Sequence, residues 1–88
     1  MKTHDLKIDP EYFNDVAAGC KKFELRRDDR PYAVDDVLHL REFGRLPGHL
    51  APGYTGRECR VVVNYILRGV PGFGLTDGFC ILSITPVL

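Results

Sequence analysis

The chain has 88 residues, with 12 basic and 12 acidic side chains and a formal net charge of zero. That length leaves room for one core, so residues 1–88 are expected to form a single domain, and zero net charge excludes nucleic-acid binding by bulk electrostatics. An apolar content of 44% suffices for folding, and three widely separated cysteines, Cys20, Cys59 and Cys80, without CxxC spacing disfavour a disulfide framework or a zinc site.

In chain order, HDLKI alternates with Leu6 and Ile8 on one face and predicts a short strand ending at Asp9-Pro10. Asp9 suits a helix N-cap and Pro10 the first helical position; Phe13, Val16 and Ala17 then share a face and Gly19 supplies a left-handed stop. Cys20 to Arg27 predicts the second strand, with Phe23 and Leu25 directed to the core and Lys22, Glu24 and Arg26 on the opposite face. A turn-rich stretch over 28–36 precedes VLHLREF, a third strand with Leu38 and Leu40 inward.

Residues 44–56 predict a long loop inside a hairpin, and Arg57 to Leu67 the central strand. There Val61, Val63, Tyr65 and Leu67 share one face and Val62, Asn64 and Ile66 the other, as beneath a helix. The glycines of GVPGFGLTDG predict a loop, and FCILSI a final strand. Five strands and one early helix make the expected class mainly β (α+β), a small partly closed barrel with the helix packed against it.

Charge is uneven along the chain. Residues 1–19 are net −2, whereas 20–30 carry Lys21, Lys22, Arg26, Arg27 and Arg30 against Glu24, Asp28 and Asp29, net +2. On a strand Glu24 and Arg26 stand about 7 Å apart on one face, where a planar guanidinium fork and a carboxylate can meet one ligand. The same spacing also describes a solvated strand face carrying an ion pair worth about 0–1 kcal/mol. Lys21 joins the group only if the strand begins after it or bulges there.

The order strand, helix, then Gly19, Lys21, Glu24 and Arg26 as G-x-K-x-x-E-x-R resembles the ASCH domain of the PUA-like superfamily. FELRRDDRPYAVDDVLHLREF, YTGRE, NYIL and DGFCILSI look like a small bacterial and phage family of uncharacterised ASCH-like domains. The resemblance runs from about His4 to Ile84. It implies a PUA-like β-barrel with a cleft beside the helix, into which Lys21, Glu24 and Arg26 project, and RNA or a nucleotide as partner. It also favours an arginine at Arg30. That residue and Arg27 are candidates for phosphate, while a bond from Arg30 to Asp28 or Asp29 that pins the loop is an equal alternative. One departure is Asp35, where the resemblance expects a glycine, so that turn is expected to differ.

Some small ASCH-like proteins are amidohydrolases of N4-acylated cytidine that use the motif lysine with a threonine and a glutamate. Here Glu24 stands at the threonine position and no hydroxyl occurs between Gly19 and Arg30. Catalysis would then fall to Lys21 and Glu24, and binding is the favoured expectation. No metal or cofactor is expected, because His4, His39 and His49 are scattered without ligand spacing. The glycine-rich stretch lacks the helix that a phosphate-binding glycine loop would open. Tyr54 to Arg57 reads as a hairpin entry with an exposed tyrosine, in preference to an aromatic and an arginine that stack on and clamp a base. No run of apolar residues long enough for a membrane span and no leader pattern stands out, which makes the cytoplasm the expected address.

Overall fold

The computed structural model describes residues 1–87. Its elements are β1 (Thr3–Ile8), α1 (Pro10–Ala17), β2 (Phe23–Arg27), β3 (Val37–Gly44), β4 (Gly53–Val70), a one-turn 3-10 helix (Pro71–Phe73) and β5 (Leu75–Pro86). The strands make one mixed sheet in the order β1-β3-β4-β5-β2, in which only β1 and β3 are parallel. Parallel strands need a crossover, and the segment carrying α1 supplies it.

Where a partly closed barrel was expected, the sheet is open. No ladder joins β1 to β2, which are its two edges. One side chain spans that seam: Arg26 on β2 donates through Nη2 to the Lys7 carbonyl on β1 at 2.7 Å.

α1 begins at Pro10, and Phe13 and Val16 are buried, while Ala17 is exposed. Gly19 takes φ +80°, the left-handed stop. The Asp15 carbonyl then accepts the N–H groups of both Cys20 and Lys21, which fixes the path into β2. At the other end of the helix, a Cβ on Gly44 would lie 2.5 Å from the Pro10 ring, so the close approach of β3 to α1 requires glycine.

The core lies on the helix-covered face of the sheet. Leu6 and Ile8 of β1, Leu38 and Leu40 of β3, Val61 and Val63 of β4, and Cys80, Leu82 and Ile84 of β5 meet Phe13 and Val16 of the helix there. β4 is central, as its apolar run predicted, but only one of its faces is covered. A bulge between Val63 and Tyr65 changes the register, so Ile66 packs against the core while Tyr65 is 65% exposed and Leu67 also reaches solvent.

β2 departs furthest from expectation. It starts at Phe23 rather than Cys20, and its faces are reversed: Phe23 is 47% and Leu25 57% exposed, whereas Glu24 is buried at 5%. Cross-strand rows Phe23–Ser83–Tyr65 and Leu25–Ile81–Leu67 therefore lie on the uncovered face of the sheet. The glycine-rich stretch expected to be a loop is mostly strand, because β4 runs to Val70 and β5 resumes at Leu75 around the short 3-10 turn. The left-handed φ of Gly74 closes that turn. The long loop of 44–56 likewise shrinks to residues 45–52.

Two buried carboxylates tie the β1–β3–β4 side together. Asp36 accepts from the Lys2 N–H (2.9 Å), the Ala33 N–H (3.0 Å) and His4 Nε2 (2.8 Å), and the His4 ring lies against buried Tyr32. Hydrogen bonding from His4, ahead of burial acting in the opposite direction, lowers the Asp36 pKa from 3.8 to about 2. Glu42 accepts a bidentate pair from Arg57 Nε (3.0 Å) and Nη2 (2.9 Å), and the Thr55 hydroxyl at 2.6 Å. Those bonds, Arg57 first, lower its pKa from 4.5 to about 2. Arg57 in turn lies over the Phe13 ring at 4.4 Å, linking β4 to α1. Asp35, the departure from the expected glycine, itself adopts φ +77° and donates its N–H to the Val63 carbonyl. The turn keeps the left-handed conformation, which aspartate tolerates better than most residues.

Among the described residues no helix is long and apolar enough to cross a membrane.

Candidate functional site

Because β2 begins only at Phe23, Lys21 is free of strand alternation and its side chain turns onto the inner face with Glu24. Lys21 Nζ donates to Glu24 Oε1 at 3.1 Å and to the Phe23 carbonyl at 2.8 Å. From the other side Arg26 Nε donates to Glu24 Oε2 at 2.9 Å, and its Nη2 stands 2.8 Å from the same oxygen. Both oxygens of a buried carboxylate are thus held by cations, whose side chains stay only 16% and 20% exposed. This is a charge-assisted network in a shielded position, not a solvated surface pair.

The network opens into a cleft of about 370 Å³ beside the start of α1. Lys21, Glu24 and Arg26 all line it, together with Tyr12 and Phe23, whose rings lie 5.1 and 4.4 Å from the Lys21 ammonium. Aromatic rings beside a guanidinium, an ammonium and a carboxylate offer a base stacking surfaces and hydrogen-bond partners, and offer phosphate or ribose a cation.

A second cleft, of about 460 Å³, lies beyond the Arg26 to Lys7 bond and shares those two residues with the first. Arg27 and Arg30, the two arginines that follow the motif, line this second cleft and not the first. Arg30 does not pin its loop through an aspartate: Asp28 pairs with Arg68 Nε at 3.0 Å, and Arg68 Nη2 also donates to the Tyr32 carbonyl. The candidate residues therefore fall into two groups joined by Arg26.

Several lining residues were not singled out from the sequence. Lys7 and Arg41 reach the second cleft because β1 pairs with β3 in a register that sets them side by side. Tyr12 carried a visible signal, an aromatic one residue off the buried helix face; the strand pairing carried none. His4, on Asp36, and His39 also have acidic neighbours invisible in sequence. His39 Nδ1 lies 2.7 Å from Asp5, and its Nε2 lies 3.1 Å from Glu58 without forming a well-directed hydrogen bond. Burial raises the thiol pKa of Cys59 and Cys80, so neither is an activated nucleophile.

Comparison with known proteins agrees in extent with the fold. A family model described as Domain of unknown function (DUF3850) matches residues 3–84. The chain is also 32% identical over 63 residues to an uncharacterised 12.9 kDa protein in the GpA 3′ region of Escherichia phage P2. That match covers 72% of this chain and 52% of the phage protein, so the chain spans about half the length of the curated relative it matches.

Proposed function

The chain belongs to the DUF3850 family, and from its site we propose that it is an RNA- or nucleotide-binding domain whose cleft is lined by Lys21, Glu24 and Arg26. The observation that carries this reading is the convergence of those three side chains, with Tyr12 and Phe23, on one open cleft. In it Glu24 accepts from a base amine or is exchanged for a ligand acceptor, Lys21 and Arg26 meet ribose or phosphate, and an aromatic ring stacks on the base. Arg27 and Arg30 take part from the adjoining cleft.

The same reading places the fold in the ASCH branch of the PUA-like superfamily. Support comes from the seam: β1 and β2, which a closed barrel would pair, already approach closely enough for Arg26 to reach the Lys7 carbonyl.

Binding is favoured over hydrolysis of N4-acylated cytidine by the state of Glu24. Its oxygens, each accepting from a cation, can take a further hydrogen bond but supply no hydroxyl where the hydrolases carry their threonine, and the hydroxyl of Thr55 is committed to Glu42. The test is fluorescence anisotropy at low salt with labelled short single-stranded RNA and with nucleotides as competitors. Wild-type protein binds, and Arg26→Ala weakens binding at least tenfold while remaining folded by circular dichroism. Absence of binding to every RNA and nucleotide tried overturns the proposal, and release of free cytidine from its acylated form, abolished by Lys21→Ala, replaces it with the hydrolase.

A further inference from the structure

The second cleft concentrates positive charge in a molecule whose net charge is zero. Lys7, Arg26, Arg27, Arg30 and Arg41 line it against two acidic residues, Asp5 and Asp29. Asp5 is drawn toward His39 on β3. Among the described residues, Arg27, Arg30 and Arg41 form no ion pair at all, although acidic side chains are as numerous in this chain as basic ones.

The register adds a second, independent sign. Lys7 and Arg41 are direct cross-strand partners on β1 and β3. Like charges placed opposite one another destabilise a sheet. Among the described residues neither cation pairs with a carboxylate; each instead lies on an aromatic ring, Lys7 on Phe43 at 4.1 Å and Arg41 on Tyr54 at 3.8 Å. The rings position the cations without consuming their charge. Arg26 contributes from the seam, where Nε and Nη2 are engaged and Nη1 has no hydrogen-bond partner among the described residues.

We propose that this second cleft is a phosphate seat, and that the ligand of the domain spans both clefts with its base in the first and a phosphate group in the second. Arginine forks with unspent donors match phosphate oxygens bidentately, and a cleft of about 460 Å³ is ample for a polyphosphate tail or a backbone phosphate with part of its sugar. The base assignment rests on the proposed nucleotide function; the phosphate seat stands on its own residues. The phosphate has two sources with one chemistry, the 5′-polyphosphate of a free nucleotide or the next internucleotide phosphate of an RNA strand.

Inorganic tripolyphosphate separates the seat from the base cleft, because it has no base. Calorimetric titration at low salt is expected to show tripolyphosphate binding to the wild type, weakened at least tenfold by Arg30→Gln combined with Arg41→Gln. Arg30→Gln alone, at an exposed residue without an ion pair, is expected to weaken it about threefold and guards against a folding defect in the double variant, whose melting temperature is measured alongside. If tripolyphosphate does not bind, or binds the double variant as it binds the wild type, the seat is refuted even if RNA binds. If it binds and is lost in the variant while no RNA or nucleotide binds, the seat stands and the nucleotide function falls. For the source, a nucleoside triphosphate is compared with a 5′-hydroxyl oligoribonucleotide. A tenfold loss in the double variant for the first assigns the tail, for the second the backbone; no loss for either, where both bind, refutes the seat.

Discussion

Glu24 at the β2 edge of the sheet and Asp36 and Glu42 toward its β1 edge are all buried carboxylates with good donors, yet they do different things. Asp36 and Glu42 bind donors from the adjacent turn or strand, and neither lines either cleft. Their side-chain partners His4, Thr55 and Arg57 also line neither cleft, and the result is a pair of fasteners between β1, β3, β4 and the helix. Glu24 binds donors that lie on the rim of an open cleft, and one of them, Arg26, reaches on into a second. A satisfied buried carboxylate by itself says nothing about function; what separates a fastener from a site is whether its partners line a cleft that a ligand could enter.

The largest effect that would break this contrast is on stability at Asp36. Asp36→Ala strands the Lys2 and Ala33 N–H groups and the His4 ring, and is expected to lower unfolding free energy by about 3 kcal/mol. Chemical denaturation measures this, and a loss under about 1 kcal/mol would deny the fastener role.

Acid titration comes next. Asp36 and Glu42 both have folded pKa values of about 2, below their ordinary 3.8 and 4.5. Groups depressed by folding contribute stability that is complete above the unfolded pKa and disappears as pH falls through the folded one. Denaturation midpoints should hold steady down to about pH 5 and then fall toward about pH 2. Asp36→Asn should flatten that fall, and an unchanged slope in the variant would show that other groups carry the acid response.

Glu24→Gln should have the smallest effect on stability, about 1 kcal/mol, because the amide oxygen still accepts from one of the two cations and Arg26 keeps its bond to the Lys7 carbonyl. Its effect on RNA or nucleotide affinity should be about tenfold. If denaturation shows a loss as large as that of Asp36→Ala with affinity intact, Glu24 is a third fastener and the contrast collapses.

Much of this was legible in the sequence where the information is local. Pro10 and Gly19 bracket the helix, Leu38 and Leu40 face inward, and Lys21, Glu24 and Arg26 do assemble. What alternation cannot supply is the sign of a face. A strand of alternating apolar and charged residues defines two faces, and hydropathy assigns the apolar one inward. In β2 the charged face turned inward because Lys21, Glu24 and Arg26 satisfy one another there. The bulge at Asn64 was illegible for a related reason: one unpaired residue reverses every side chain after it, and nothing in VVVNYIL marks where the count slips. The glycine-rich stretch hides its strands because a glycine that serves the turn of a long hairpin looks the same in sequence as one that interrupts it. The pairing of Lys7 with Arg41 joins residues 34 positions apart, beyond any local pattern.

The reversal of β2 leaves a mark on the solution behaviour of the molecule. Phe23 and Leu25 sit on an unpaired edge, and with Ile81, Leu67 and Tyr65 they extend a greasy strip across three strands. Free edges of this kind template self-association, and natural sheets guard them with flanking charge. Here the guards are Lys22 and Arg27, exposed at either end of the strand. Those two cations are expected to set how concentrated the protein can become before it precipitates, a duty separate from anything Arg27 does in its cleft.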